Sequence, residues 1–326
     1  MKKRKIGKQG LEVSAIGLGC MGMSQSYGEP ADDAEAIKVI HRALALGVDF
    51  FDTAEVYGPY KNELLLGRAF RDRRDLAIIA TKFGFNIEDG KMTGVNSHPK
   101  NVKRACDESL KRLGVEYIDL YYQHRVDPKV PIEEVVGAMS ELVEAGKVRY
   151  LGLSEAGSET LRRANREHPI SALQSEYSVW ERGIEENILP TCRELGIGLV
   201  PFSPVGRGVL SGNVKEVDSL SEADFRRRVP RLQGEHFKRN LKLVDIVSEV
   251  AKKYDATPAQ VAIAWTLHQG DDVAPIPGTK RIKYLEENCA AADLKLDKND
   301  LELLATIAEK MSGDRYDERG LAMIER

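Results

Sequence analysis

Cysteine is scarce and scattered: Cys20, Cys106, Cys192 and Cys289 form no C-x-x-C pair and have no histidine nearby at metal-ligand spacing. No disulfide framework is expected, and no metal centre, since His98, His168, His236 and His268 also lack ligand spacing. Four such thiols in 326 residues read as reduced cytosolic cysteines. An excess of one charge is likewise missing, because 48 Lys+Arg against 51 Asp+Glu leaves −3. That balance removes the electrostatic case for nucleic acid or an anionic membrane as the main partner. No apolar run approaches a membrane span, since charges or glycines interrupt each one. The basic start, Met1 to Lys5, leads into Ile6-Gly7-Lys8-Gln9-Gly10 and not into an apolar stretch, so no signal peptide is expected and the chain is read as cytoplasmic. Low-complexity segments and linkers are absent too, so one domain over 1–326 is expected. What is present, 42% hydrophobic and 30% charged residues, suits a soluble enzyme with a packed core.

The dominant pattern is short apolar runs alternating with longer amphipathic segments. The runs are Ser14–Leu18, Val48–Phe51, Ala77–Ala80, Tyr117–Tyr122, Val148–Leu153, Ala172–Gln174, Gly198–Pro201 and Val273–Ile276. Continuous apolar runs of this length suit parallel strands buried on both faces. Helices begin between them with legible signals. Asp32 followed by Glu35 opens one to Leu46, and Ser97-His98-Pro99 opens another that Gly114 stops. Glu133 to Ala145 is closed by Gly146, and Thr257-Pro258-Ala259-Gln260 is a capping box.

Such alternation leaves a closed barrel or an open doubly wound sheet. Gly17-Leu18-Gly19-Cys20-Met21-Gly22 formally matches the dinucleotide fingerprint G-x-G-x-x-G, but no helix starts there and Pro30 delays one. These glycines are read as a turn at the top of a strand. The expected fold is therefore α/β, a (β/α)8 TIM barrel, with an N-terminal hairpin over Lys5–Val13 plugging its lower end. A long irregular loop, Phe202 to about Phe237, follows strand seven, where barrel enzymes commonly hold phosphate groups.

In a barrel, polar residues at the C-terminal strand ends face the active site. Those ends carry Asp52 and Tyr57, Lys82, His124, Ser154, Gln174, Phe202-Ser203-Pro204 and Gly278-Thr279-Lys280-Arg281. Each has an ordinary reading: a helix cap for Asp52, a packed aromatic for Tyr57, a solvated amine for Lys82, a core histidine for His124. Together they place an acid, a phenol, an amine and an imidazole on one rim. An ammonium beside a phenol favours the phenolate and is expected to lower its pKa from about 10. The set suits protonation of a carbonyl oxygen while hydride arrives at carbon, with His124 donating to that oxygen. Arg226-Arg227-Arg228 reads as a solvated face.

Phe51-Asp52-Thr53-Ala54-Glu55-Val56-Tyr57-Gly58, Thr81-Lys82, Ser109 to Gly114 and Tyr117 to His124 closely resemble aldo-keto reductase motifs. Gly146 to Ser154, Pro201-Phe202-Ser203-Pro204, Ile276-Pro277-Gly278-Thr279 and Glu287-Asn288 continue the match. Glu55, Arg207 between Gly206 and Gly208, and Pro230 to Glu235 look most like the bacterial, yeast and plant branch, which reduces assorted aldehydes. The resemblance implies an NADPH-dependent reductase of small carbonyl compounds with a tetrad of Asp52, Tyr57, Lys82 and His124. It further implies that Ser154 and Gln174 hold the carboxamide and that Phe202, flanked by Ser203 and Pro204, stacks on the nicotinamide; Gly19 is read as a cofactor contact, and Cys20 and Met21 as lining the cofactor edge or packing. Gly206 and Arg207 would approach the pyrophosphate, and Glu287 and Asn288 the adenine. Gly278 and Thr279, followed by Lys280 and Arg281, replace the Lys-Ser pair of other members at the loop after strand eight. Two other readings stand beside this one: a Schiff-base lyase or aldolase using Lys82, and a non-catalytic NADPH-binding module.

Overall fold

The computed structural model describes residues 1–325. The chain opens with an antiparallel hairpin, β1 (Lys3–Ile6) and β2 (Leu11–Ser14). A parallel sheet follows, built from β3 (Leu18–Gly19), β4 (Phe50–Asp52) and β5 (Ile78–Phe83). A second hairpin, β6 (Phe85–Glu88) and β7 (Lys91–Val95), interrupts the alternation at the barrel's C-terminal end. The parallel sheet continues with β8 (Ile118–Gln123), β9 (Val148–Ser154), β10 (Ala172–Glu176) and β11 (Gly198–Phe202). Its order, β3-β4-β5-β8-β9-β10-β11, follows the chain.

The eighth staves the barrel shut without a regular ladder. Ala274 N–H donates to Leu199 O (2.9 Å) and Ile276 N–H to Pro201 O (3.0 Å), joining it to β11. On its other edge Gly17 N–H donates to Pro275 O (2.9 Å) and Gly19 N–H to Pro277 O (3.3 Å), joining it to β3. Pro275 and Pro277 have no N–H to give back, so this seam runs on acceptors alone. It is also close: a Cβ on Gly19 would stand 2.8 Å from Ile276 O. The glycine string thus forms the short first strand, Leu18–Gly19, with its seam to the eighth, and then the expected turn at its top, Met21–Met23, while Ser14 belongs to the hairpin.

Helices on the outside follow the expected signals. Asp32 Oδ1 accepts from Ala34 N (2.9 Å) and Glu35 N (3.2 Å) at the start of α1 (Asp33–Ala45). After α2 (Lys61–Ala69), α3 (Pro99–Leu113) ends on Gly114 in the left-handed conformation (φ 65°). Next come α4 (Ile132–Glu144), α5 (Ser158–Glu167), α6 (Ile188–Leu195) and α7 (Gly234–Lys253). The Thr257–Gln260 capping box opens α8 (Pro258–Leu267). The segments α9 (Ile282–Ala290), α10 (Lys298–Lys310) and α11 (Glu318–Leu321) complete the chain.

The strand period divides the core in two. Ile79, Tyr121, Leu153, Leu173 and Leu199 point outward against the helices. Phe50, Ala80, Leu120, Tyr122, Ala172, Val200, Ala274 and Ile276 fill the barrel, and Ile6, Leu11 and Val13 of the hairpin join that inner cluster, so the hairpin is the plug expected. Side chains alternate along a strand. Two positions beyond the inner layer, the same inward face therefore carries Asp52, Lys82, His124, Gln174 and Phe202, and Ser154 shares it two positions beyond Gly152.

Candidate active site

Lys82 is fully buried, and each of its three ammonium hydrogens has a partner: Asp52 Oδ1 at 2.6 Å, Thr53 O at 2.8 Å and Tyr57 Oη at 3.2 Å. Asp52 does not cap a helix; its second oxygen accepts from Gln174 Nε2 at 2.8 Å. Tyr57 stands on the turn between β4 and α2, which is tied down on every side. Thr53 Oγ1 donates to Asn62 Oδ1 (2.6 Å), Asn62 Nδ2 donates to Cys20 O (2.9 Å), and Glu55 accepts from Gly84 N (3.1 Å). The His124 ring meets Tyr57 edge-on at 5.8 Å between centroids and Phe85 at 4.8 Å. Its backbone N–H donates to Phe83 O (2.8 Å), while its buried Nδ1 has no partner.

Burial dominates the electrostatics of this cluster. It pushes the Asp52 carboxyl up and pulls the Lys82 ammonium down, each opposed by the attraction of the other. Burial, then the Lys82 and Arg125 charges, hold His124 well below the usual imidazole range, so its ring is neutral at pH 7. Tyr57 departs from expectation: burial and the Asp52 charge hold its phenol well above 10, with Arg125 pulling the other way. The phenol is therefore a proton-bearing group near neutrality, because desolvation of a phenolate outweighs its cationic neighbours. Burial also raises the Cys20 thiol far above its ordinary value, which leaves it inert.

Beyond this cluster, the chain as a whole is similar to known proteins. The model of the "Aldo/keto reductase family" matches residues 15–309. The chain belongs to the aldo/keto reductase family. It is similar to "Probable aldo-keto reductase 1" of Glycine max, with 48% identity over 315 residues, 96% of this chain and 91% of the relative. Among solved structures it resembles the glycerol dehydrogenase AKR11B4 from Gluconobacter oxydans, with TM-score 0.86, 27% identity and 97% and 98% of the two chains covered. The aldo-keto reductase AKR11C1 from Bacillus halodurans, in its holo form, matches with TM-score 0.77, 28% identity and coverage of 98% and 99%.

The residues expected at a reductase's cofactor are distributed around this rim. Ser154 and Gln174 are both buried, Gln174 against Asp52 and Ser154 against Arg125, and Phe202 is half-buried at the end of β11. The chain then turns sharply: Ser203, Gly206, Arg207 and Gly208 all have positive φ (54°, 54°, 57° and 89°). Gly206 is the one residue that fits there, since a Cβ would stand 2.3 Å from the Trp180 ring. The Arg207 side chain turns inward, donating to Glu176 Oε2 (3.1 Å) and Arg315 O (3.4 Å), so a phosphate on this turn would meet backbone and not guanidinium. Across the rim, Gly278, Thr279 and Arg281 lead into α9, with Arg281 exposed, while Lys280 Nζ donates to the carbonyls of Tyr27 (3.0 Å) and Glu29. Glu287 accepts from the Thr257 hydroxyl (2.8 Å) and Asn288 is buried. Gly19, half-buried, ends β3; Cys20 is buried after it, and Met21 is half-buried on the turn that follows.

The arginine triplet is not the solvated face expected. Arg226 binds Asp224 (2.7 Å) and stacks over Tyr27, and Arg227 donates to the carbonyls of Asp218 (3.0 Å) and Leu220 (3.1 Å); both clamp the long loop, and Arg228 alone is exposed. Sequence reasoning missed a second charged layer. Glu155 and Glu176, both buried, pair with Arg315 and Arg207, and Arg231 pairs with Glu181 at 2.7 Å. Glu176 was legible in principle, two positions past Gln174 on the same face. Arg315 was not, because it returns from the C-terminal segment.

Proposed function

We propose that this protein reduces aldehydes or ketones to alcohols with NADPH, Tyr57 serving as the general acid. The observation that carries the reading is the contact of Tyr57 Oη with Lys82 Nζ at 3.2 Å, the ammonium itself held by Asp52 at 2.6 Å. The donor set suits the cofactor: an aromatic face at Phe202, an amide and a hydroxyl at Gln174 and Ser154, and cations with free helix N–H groups at the start of α9. When bound, a reduced nicotinamide supplies a hydride to the carbonyl carbon. Tyr57 gives the proton to the oxygen, so two electrons and two hydrogens convert carbonyl to alcohol. The phenolate left behind accepts from the Lys82 ammonium, and the neutral His124 ring orients the carbonyl oxygen. Gln174 keeps an oxygen free for the carboxamide while its Nε2 holds Asp52. Four free cysteines favour a reducing cytoplasmic setting, and the described chain is treated as one catalytic unit.

Tyr57→Phe tests the assignment. Turnover of a small aldehyde, followed by NADPH absorbance, is expected to fall about 10²–10⁴-fold while NADPH binding persists. Turnover near wild type would exclude Tyr57 as the acid.

A further inference from the structure

Arg125 follows His124 at the end of β8 and is half-buried. Its Nη1 donates to His124 O at 2.6 Å and to Ser154 Oγ at 3.1 Å, which swings the guanidinium across the rim from β8 toward β9. Its charge reaches the inner cluster, pulling down the phenol of Tyr57, the ammonium of Lys82 and the imidazole of His124. Elsewhere on this rim guanidinium groups are matched: Arg207 with Glu176, Arg231 with Glu181, Arg315 with Glu155. Among the described residues no carboxylate forms an ion pair with Arg125, and its side-chain hydrogen bonds use Nη1 alone. An arginine presents five donors in a planar fork that suits a carboxylate, so Nε and Nη2 remain as a preformed half-site beside the reacting phenol. Placing this uncompensated cation next to Lys82 disfavours the ammonium, a penalty that an arriving anion would relieve.

Resting on the reductase reading above, we infer that Arg125 anchors an anionic group of the substrate, and that the preferred substrates are small aldehydes or ketones carrying a carboxylate. It is a specificity residue, distinct from the group that gives the proton. The plainer role, a prop for Ser154 and the strand end, affects charged and neutral substrates alike.

The test compares kcat/KM for 4-carboxybenzaldehyde and its methyl ester, and for 4-oxobutanoate and butanal, with NADPH. Wild type is expected to favour the acid of at least one pair. Arg125→Met also removes a charge near Tyr57 and slows both members of a pair, so the acid-to-neutral ratio is the readout. That ratio is expected to fall about ten- to a hundred-fold, mainly through KM of the acid. Arg125→Lys, which keeps the charge and loses the fork, is expected to fall between the two and guards against misfolding of the methionine variant. An unchanged ratio in both pairs overturns the proposal. If no aldehyde is turned over at all, the reductase reading fails, and benzoate binding measured by calorimetry in the presence of NADP+ still decides about Arg125. Binding that Arg125→Met abolishes supports the anchor, and binding equal in both proteins rejects it.

Discussion

Glu55 stands two positions before Tyr57, 3% exposed, with Gly84 N–H its one close donor at 3.1 Å. Burial pushes its carboxyl from 4.5 up to about 7. A carboxyl raised on folding binds its proton more tightly in the native state, so its contribution to stability is present below about pH 4.5 and is lost as pH rises through about 7. The span corresponds to about 3 kcal/mol. Glu55→Gln keeps an oxygen for Gly84 and cannot ionise. Its melting temperature is therefore expected to gain on wild type progressively between about pH 5 and about pH 8. A difference that stays constant with pH would mean that Glu55 does not titrate there. The same desolvation acts on Asp52 and Lys82, but those two compensate each other at 2.6 Å, and Glu55 has no such partner in contact.

At the scale of elements, the proposed nucleotide site would draw on the loops after β11 and before α9. Lys280 is spent on the carbonyls of Tyr27 and Glu29, which ties the loop after β3 to the start of α9. Arg281 is exposed, 5.7 Å from the Tyr284 ring centroid, and on the proposed reading it is the cation that would meet a 2′-phosphate. Two single substitutions separate these roles. Arg281→Ala is expected to weaken NADPH binding about ten- to a hundred-fold and leave NADH unchanged. Lys280→Ala, by loosening the loop, is expected to weaken both cofactors. Dissociation constants by fluorescence titration check this, and equal loss of both cofactors in Arg281→Ala would point to adenine stacking instead of phosphate recognition.

At the scale of the whole molecule, one end of the barrel is sealed and the other carries the candidate active site. The hairpin β1–β2 seals the lower end, and Gly198 lets it approach β11, since a Cβ there would stand 2.7 Å from the Ile6 side chain. Ile6 is fully buried in the barrel interior. Ile6→Ala is expected to cost about 2–5 kcal/mol in urea unfolding, with NADPH affinity preserved because the lesion lies at the end away from Tyr57. A loss well under about 1 kcal/mol would make the hairpin a surface ornament and not a plug.

Much of this was local and therefore legible. Strand alternation is a short-range rule, so once Ala80 and Tyr122 face inward, Lys82 and His124 follow them, and the same parity brings Asp52, Gln174 and Phe202 to the rim. Caps such as Asp32 and Thr257 act within three residues and read directly from the chain. What depended on distant partners did not. The eighth strand was legible as Val273–Ile276, but its seam with β3, where the carbonyls of Pro275 and Pro277 meet Gly17 and Gly19, was not. Gln174 reaches Asp52 across 122 positions, and Arg315 reaches Glu155 across 160. Arg207, read as a phosphate contact, was claimed by Glu176, and Arg125, which drew no notice in sequence, pairs with no acid among the described residues. Charge and residue type are properties of the chain, but which charge remains unpaired is decided by desolvation and proximity, and those exist only once the barrel has closed.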